Sequence, residues 1–85
     1  MFLGWYDPDR KKAPRQKLEE AMERYEEKFG KPARVVLTNP EDAEALRQPS
    51  RAYPGDAPVK IREVRYVARW TMYLGTDKDL RQLAA

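Results

Sequence analysis

One stretch of the chain, residues 13–30, has the spacing of a single amphipathic helix and constrains the fold more than any other segment. Its apolar residues recur at intervals of three and four, so at 3.6 residues per turn they occupy an arc of about 100°. These residues are Leu18, Ala21, Met22, Tyr25 and Phe29. Pro14 suits the first helical position, and Gly30 suits the left-handed residue just past the helix end. The sequence therefore predicts a helix over residues 14–29 with one core-facing stripe.

Four short apolar segments have the composition of β-strands. They are residues 2–6, 33–38, 59–67 and 70–74. In the third segment the alternation changes phase, and a β-bulge near Glu63 would reconcile its two halves. In the fourth segment, Trp70, Met72 and Leu74 are expected to share one face. Gly4, inside the first segment, predicts a bulge or a close backbone approach.

Two further helices have recognisable start signals. Asn39 is predicted to cap a short helix that begins at Pro40 and ends near Arg47. Thr76 and Asp79 have the spacing of a capping box, which predicts the start of a last short helix.

The predicted order of elements is β-α-β-α-β-β-α, which indicates an α/β (α+β) fold and a single small domain over residues 1–85. The first strand, the long helix and the second strand predict a β-α-β unit with parallel strands. The last two strands, which are close in sequence, are predicted to be antiparallel, so the sheet should be mixed. We expect the long helix, residues 14–29, to cover one face of this sheet and to leave the other partly open.

The composition excludes several classes of chemistry. Because the chain has no cysteine and no histidine, it lacks disulfides, thiolate metal sites and the usual base near neutral pH. Ser50 is the single serine, so the common nucleophilic triads are impossible. The carboxylate pairs Asp7 with Asp9 and Asp77 with Asp79 are interpreted as a turn and a helix start rather than as cation sites. No catalytic residue, metal, cofactor or small-molecule substrate is predicted.

The remaining composition bears on location and stability. No apolar run is long enough for a membrane span or a signal peptide, so a cytoplasmic protein with no membrane partner is expected. Charged residues make up 36% of the chain, seven residues are proline, and Asn39 is the single asparagine. This combination predicts a thermostable, heat-adapted protein.

Basic and aromatic residues alternate in the last third of the chain, although the net charge is only +3. Lysine and arginine neutralise phosphates, and exposed aromatic rings stack on unpaired bases. The sequence therefore predicts a nucleic-acid partner. The predicted contact residues are Lys11, Lys12, Lys60, Arg62, Arg65, Tyr66 and Arg69, with Lys17 extending the positive surface.

Three alternatives remain open at this stage. The domain could be a homodimer or another protein interaction module, because tryptophan and tyrosine are favoured at interfaces. The candidate interface residues are Trp5, Tyr6, Tyr53 and Tyr73. A compact ribonuclease-like toxin would use Arg62, Arg65, Tyr66 and Arg69. The plainest interpretation places Tyr66 and Trp70 in the core and makes the arginines the solvated side of an edge strand.

Overall fold

A computed structural model describes residues 1–84, apart from the side chain of Ala84, and shows strands and helices in the predicted order. The elements are β1 (Leu3–Tyr6), α1 (Pro14–Phe29), β2 (Val35–Thr38), α2 (Pro40–Arg47), β3 (Lys60–Glu63), β4 (Thr71–Gly75) and α3 (Asp77–Ala84). The α+β class and the mixed sheet are as predicted. Within residues 1–84, no helix is long and apolar enough to cross a membrane.

The sheet has the strand order β1-β4-β2-β3. Strand β4 is antiparallel to both β1 and β2, and β2 is parallel to β3. Thus β1 and β2 run in the same direction, as predicted for a β-α-β unit, but β4 lies between them. The last two strands run in opposite directions without pairing, because β2 separates them. Met72 and Leu74 of β4 gain apolar neighbours on both sides from this central position.

The long helix α1 buries the predicted stripe and ends where predicted. Leu18, Ala21 and Tyr25 are buried, and Met22 and Phe29 pack against the same core while remaining partly exposed. Gly30 has a φ of 71°, and its N–H donates to the carbonyl oxygen of Glu26 at 2.8 Å. A glycine adopts this left-handed conformation without steric cost, so the helix stops here.

The starts of α2 and α3 are formed by the predicted caps. Asn39 Oδ1 accepts a hydrogen bond from the N–H of Glu41 at 3.0 Å. At α3, the N–H of Asp79 donates to Thr76 Oγ1 at 3.3 Å, and Asp79 Oδ2 accepts from the N–H of Thr76 at 2.9 Å. Each cap satisfies backbone N–H groups that have no partner within the helix.

Side-chain alternation divides the strand residues between two faces of the sheet. We call the first the covered face, because α1 and α2 pack on it; its residues are Leu3, Trp5, Val36, Thr38, Ile61, Glu63, Met72 and Leu74. We call the second the open face; its residues are Gly4, Tyr6, Val35, Leu37, Lys60, Arg62, Thr71, Tyr73 and Gly75.

Two predictions for the last third of the chain are wrong. The segment 59–67 is not one bulged strand, because β3 ends at Glu63. The N–H of Val64 still donates to the carbonyl oxygen of Thr38 at 2.8 Å, but turns follow directly. Trp70 was expected inside the last strand; instead it precedes β4 with a φ of 60°, a conformation that cannot continue a strand.

Candidate nucleic-acid interface

The open face is built around one row of residues that crosses all four strands. In this row Gly4 lies opposite Tyr73, Tyr73 opposite Leu37, and Leu37 opposite Arg62. A Cβ atom on Gly4 would lie 3.3 Å from Cε1 of Tyr73, so the tyrosine ring lies against the glycine backbone. The predicted special role of Gly4 is therefore a close approach. Leu37, at the centre of the row, is only 6% exposed.

The open face presents two tyrosine rings to solvent. Tyr6 is 65% exposed and Tyr73 is 41% exposed. Because Tyr6 lies opposite Thr71 and Gly4 lies opposite Tyr73, the two tyrosines are diagonal neighbours on adjacent strands. Diagonal neighbours are about 7–8 Å apart, within reach of aromatic side chains. The two rings can therefore form one continuous aromatic surface.

The charge of the open face is entirely basic at its strand positions. Lys60 and Arg62 lie on this face, and none of its nine strand residues is acidic. The acidic residue of β3, Glu63, is on the covered face and pairs with Arg47 at 2.9 Å. Lys60 Nζ pairs with Asp77 Oδ1 at 3.0 Å, but both side chains are exposed and such a pair is weak. Arg62 is exposed and forms no ion pair with any residue that the structure describes.

Arg69 lies apart from the open face. It lines a cleft next to Thr38 and Met72, which belong to the covered face. Its Nε donates to Asp42 Oδ1 at 2.9 Å, and its Nη1 pairs with Glu41. The hydrogen bond to Asp42 is the main reason that the pKa of Arg69 is raised. The structure therefore does not bring Arg69 together with Arg62.

The two lysines near the start of α1 are both engaged within the fold. Lys12 Nζ donates to Glu20 Oε2 at 2.9 Å and lies 3.5 Å from Asp7 Oδ2. The hydrogen bond to Glu20 is the largest cause of the raised pKa of Lys12. Lys17 is only 7% exposed, and its Nζ donates to the carbonyl oxygen of Asp7 at 2.9 Å. The expectation that Lys17 extends an exposed positive surface is therefore wrong.

The other predicted nucleic-acid residues lie in turns. Lys11 is exposed in the turn before α1, and Arg65 and Tyr66 are exposed in the turn after β3. Tyr66 is 89% exposed, so the interpretation that buries it in the core is wrong. Of the seven predicted contact residues, the open face brings together Lys60 and Arg62.

The predicted interface aromatics separate into two groups. Tyr6 and Tyr73 lie on the open face, whereas Trp5 is half-buried on the covered face. Trp5 Nε1 is buried and has no hydrogen-bond partner within residues 1–84. Tyr53 lies in the loop between α2 and β3, with the guanidinium carbon of Arg15 5.5 Å from its ring centroid. Only the first two tyrosines therefore contribute to the surface that carries Arg62.

Arg15 is a structural residue that the sequence analysis missed. It is only 6% exposed, and its Nη1 donates to the carbonyl oxygen of Gly55 at 2.8 Å. A second, longer hydrogen bond runs from Nη2 to the carbonyl oxygen of Asp56 at 3.4 Å. Arg15 thus attaches the loop of residues 48–59 to α1. No local signal indicates this, because the carbonyl groups that it binds lie 40 residues away.

The carboxylate pairs form the local structures expected of them. Asp7 Oδ1 accepts a hydrogen bond from the N–H of Asp9 at 3.0 Å, which closes a turn. The amine of Met1 and hydrogen bonds from Thr76 lower the pKa of Asp79 to about 2. Within the described part of the chain, no three acidic side chains group together in a way that could hold a metal ion.

Comparisons with protein-family models, with curated proteins and with solved structures found no match for this chain. Its function has to be inferred from its own residues. The candidate functional surface is the open face, where Tyr6 and Tyr73 are exposed on the same side of the sheet as Lys60 and Arg62.

Proposed function

We propose that this domain binds single-stranded nucleic acid on the open face of its sheet. The observation that supports this most directly is that Tyr6, Tyr73 and Arg62 are exposed on one face whose strand positions carry no acidic residue. Aromatic rings stack on unpaired bases with about 1–3 kcal/mol per base, and arginine binds the phosphates between them. Two diagonal tyrosines provide stacking surfaces for two bases.

A single strand suits this surface better than a duplex. The bases of a duplex are stacked on each other, so its outer surface offers few ring faces to tyrosine. Reading the major groove requires a protruding helix or β-ribbon. The open face is instead a shallow sheet surface with strands of four or five residues, and its aromatic rings are its most exposed apolar groups.

Fluorescence anisotropy with a short labelled oligouridylate tests the proposal. We expect Tyr73→Ala and Arg62→Glu each to weaken binding by about tenfold or more, because each removes a stacking or phosphate contact. Arg51→Glu is the matched control, since Arg51 is also exposed but lies in the loop between α2 and β3. Equal losses in the Arg51 and Arg62 variants would mean that only net charge matters, and would contradict a site on this face.

Salt dependence and strandedness give a second test of the same site. For single strands, the logarithm of the binding constant should fall with the logarithm of salt concentration, with a slope of about −0.7 per neutralised phosphate. We also expect weaker binding to a duplex of the same length. A flat salt response, or tighter binding of the duplex, would contradict the proposal.

The same two tyrosines also suit contact between two copies of the chain, because tyrosine and arginine are favoured at the centres of interfaces. Sedimentation of the free protein distinguishes this alternative. If the chain forms a dimer that Tyr73→Ala dissociates, and if oligouridylate does not compete with the dimer, the open face is a self-association surface. That result would overturn the nucleic-acid proposal.

A further inference from the structure

A cleft of about 240 Å³ opens where β2 ends and β4 begins, on the covered-face side of the sheet. Its apolar wall is formed by the side chains of Leu46, Trp70 and Met72. Four basic residues also line the cleft, namely Arg10, Lys12, Lys17 and Arg69. It is therefore separate from the open face and carries a different combination of groups.

Lys17 gives the cleft an unneutralised positive charge. The residue is only 7% exposed, and no carboxylate of the described residues lies within ion-pair distance of its ammonium group. Of its three N–H donors, one is used, in the hydrogen bond to the carbonyl oxygen of Asp7 at 2.9 Å. Buried charges in proteins normally have an opposite charge beside them. An anion bound in the cleft would supply this missing partner.

The one acidic side chain among the cleft's lining residues, Asp42, is already engaged. Its Oδ1 accepts from Arg69 Nε at 2.9 Å, and its Oδ2 accepts from the backbone N–H of Trp70 at 2.6 Å. Because the charge of Arg69 lies beside it, Asp42 repels an incoming anion less than an unpaired carboxylate would, and Arg69 in turn adds little net positive charge to the cleft.

The mouth of the cleft adds further positive potential. Arg10 is exposed there and forms no ion pair within residues 1–84. Helix α1 begins at Pro14, which also lines the cleft, and it has neither a side-chain cap nor an acidic residue in its first turn. The positive end of the helix dipole is therefore not compensated at this point.

Trp70 is held at the cleft wall in a strained conformation. Its φ of 60° lies in the left-handed region, which bulky residues rarely adopt. The hydrogen bond from its N–H to Asp42 helps to maintain this conformation. Strained backbone of this kind is concentrated at functional sites. Here the guanidinium carbon of Arg69 lies 5.1 Å from the centroid of the indole ring, so one side of the ring is covered by Arg69 and a ligand ring would use the remaining surface.

We propose that this cleft binds a small organic anion, with one flat ring against Trp70 and a phosphate or carboxylate group against Lys17. The volume of about 240 Å³ is slightly below the usual range for ligand pockets, which fits one ring system with its anionic group rather than a polymer. This site is independent of nucleic-acid binding on the open face.

An NMR titration of the full chain tests the proposal with four probes. Adenosine 5′-monophosphate and indole-3-acetate carry a ring with a phosphate or a carboxylate, adenosine has the ring alone, and inorganic phosphate has the anion alone. We expect at least one ionised ring compound to saturate shifts of the Trp70 indole N–H and the Lys17 amide. Adenosine and inorganic phosphate should each bind at least about tenfold more weakly. The better of the two ring compounds identifies the ligand as a nucleotide or an aromatic carboxylate.

Lys17→Met removes the buried charge but keeps a long apolar side chain, so the fold should persist. We expect it to weaken binding of the better probe by about tenfold or more, whereas Lys28→Met, at an exposed position of the same helix, should leave binding unchanged. Trp70→Gly removes the ring and relieves the left-handed conformation, so it tests the site even if Lys17→Met does not fold. Saturable binding by none of the probes would overturn the proposal. So would binding of adenosine or inorganic phosphate as tight as that of the better ionised ring compound, or unchanged binding in both cleft variants.

Discussion

The two faces of the sheet are built from the same four strands but differ in how far their side chains are buried. On the covered face, Val36 and Leu74 are fully buried under α1 and α2. On the open face, Tyr6 and Tyr73 are 65% and 41% exposed, and Arg62, two strands away from Tyr73 on the same face, is exposed as well. Because side chains alternate along a strand, one segment can carry core residues on one side and exposed residues on the other. Substitutions on the two faces should therefore have different consequences.

The open face is not exposed along its whole length. Val35, Leu37 and Gly75 belong to it by register, yet all three are buried. At the end with Val35 and Gly75, Phe2 lies over Gly75, and Asp77 of α3 pairs with Lys60. The exposed side chains of Tyr6, Tyr73 and Arg62 lie away from Phe2 and α3, with the buried Leu37 between Tyr73 and Arg62. Substitutions that probe the exposed side chains of this face should therefore lie away from Phe2 and α3.

The largest effect on stability is expected in the core between α1 and the covered face. Leu18 is fully buried between α1 and the sheet, so Leu18→Ala should lower the free energy of unfolding by about 2–5 kcal/mol, measured by urea denaturation. Glu27→Ala on the exposed side of the same helix should change it by less than about 0.5 kcal/mol. Similar losses for the two variants would mean that α1 does not pack through the predicted stripe.

A smaller loss of folding stability is expected at Gly75, where Phe2 covers one end of the open face. A Cβ atom on Gly75 would lie 2.7 Å from Cδ1 of Phe2, so Gly75→Ala should force the phenyl ring aside and cost about 1–3 kcal/mol. Gly55→Ala is the matched control, because no atom lies within 4 Å of the Cβ position there. A neutral Gly75→Ala variant in the same urea titration would show that this end of the face is as open as the rest.

The attachment of α3 beside Gly75 should depend on pH. The pKa of Asp79 is about 2 in the folded chain, mainly through the amine of Met1, whereas an unfolded aspartate titrates near pH 4. A folded-state pKa below the unfolded one contributes stability above about pH 4, which is lost as the pH falls towards 2. We expect a loss of about 1–2 kcal/mol over this range, allowing for the exposed Met1 amine.

Urea denaturation at several pH values between 2 and 5 measures this contribution. Asp79→Asn should remove it, whereas Asp77→Asn, in the same turn of α3, should retain it. An identical pH dependence in the wild-type and Asp79→Asn proteins would contradict the role of this carboxylate.

The smallest effect on stability is expected at the exposed part of the open face. Arg62→Gln should change the free energy of unfolding by less than about 0.5 kcal/mol, because Arg62 is exposed and pairs with no acidic residue that the structure describes. The same variant should weaken binding of oligouridylate in the anisotropy assay. If it instead destabilises the fold strongly, the separation between a stabilising face and a recognition face is wrong.

Local features were predictable because they depend on residues close in sequence. The 3.6-residue period identifies α1, and the caps at Asn39 and Thr76 depend on hydrogen bonds that span two or three residues. Gly30 ends α1 through its own backbone freedom. The same local reasoning failed at Trp70, whose conformation depends on Asp42, 28 residues away in sequence.

The site was only partly predictable. Composition drew attention to arginines and tyrosines, but it did not indicate which of them share a surface. Tyr6 and Arg62 come from strands at opposite edges of the sheet. They share a face only because the pairing registers of β4 and β2, which lie between them, place both residues on the same side of the sheet. Arg69 lies in the same basic and aromatic part of the sequence as Arg62. In the structure, however, it forms ion pairs with Asp42 and Glu41 away from the open face.

By itself the sequence determined the order of the elements, the starts of the three helices and the stripe that α1 buries, because these follow from helix periodicity, caps and turn residues. Only the tertiary structure decided that β4 lies between β1 and β2, that Lys17 is buried at a cleft, and that Tyr73 and Arg62 share a face. The physical reason is that strand pairing and burial depend on contacts between distant segments. A strand's own residues specify its two sides but not its neighbours.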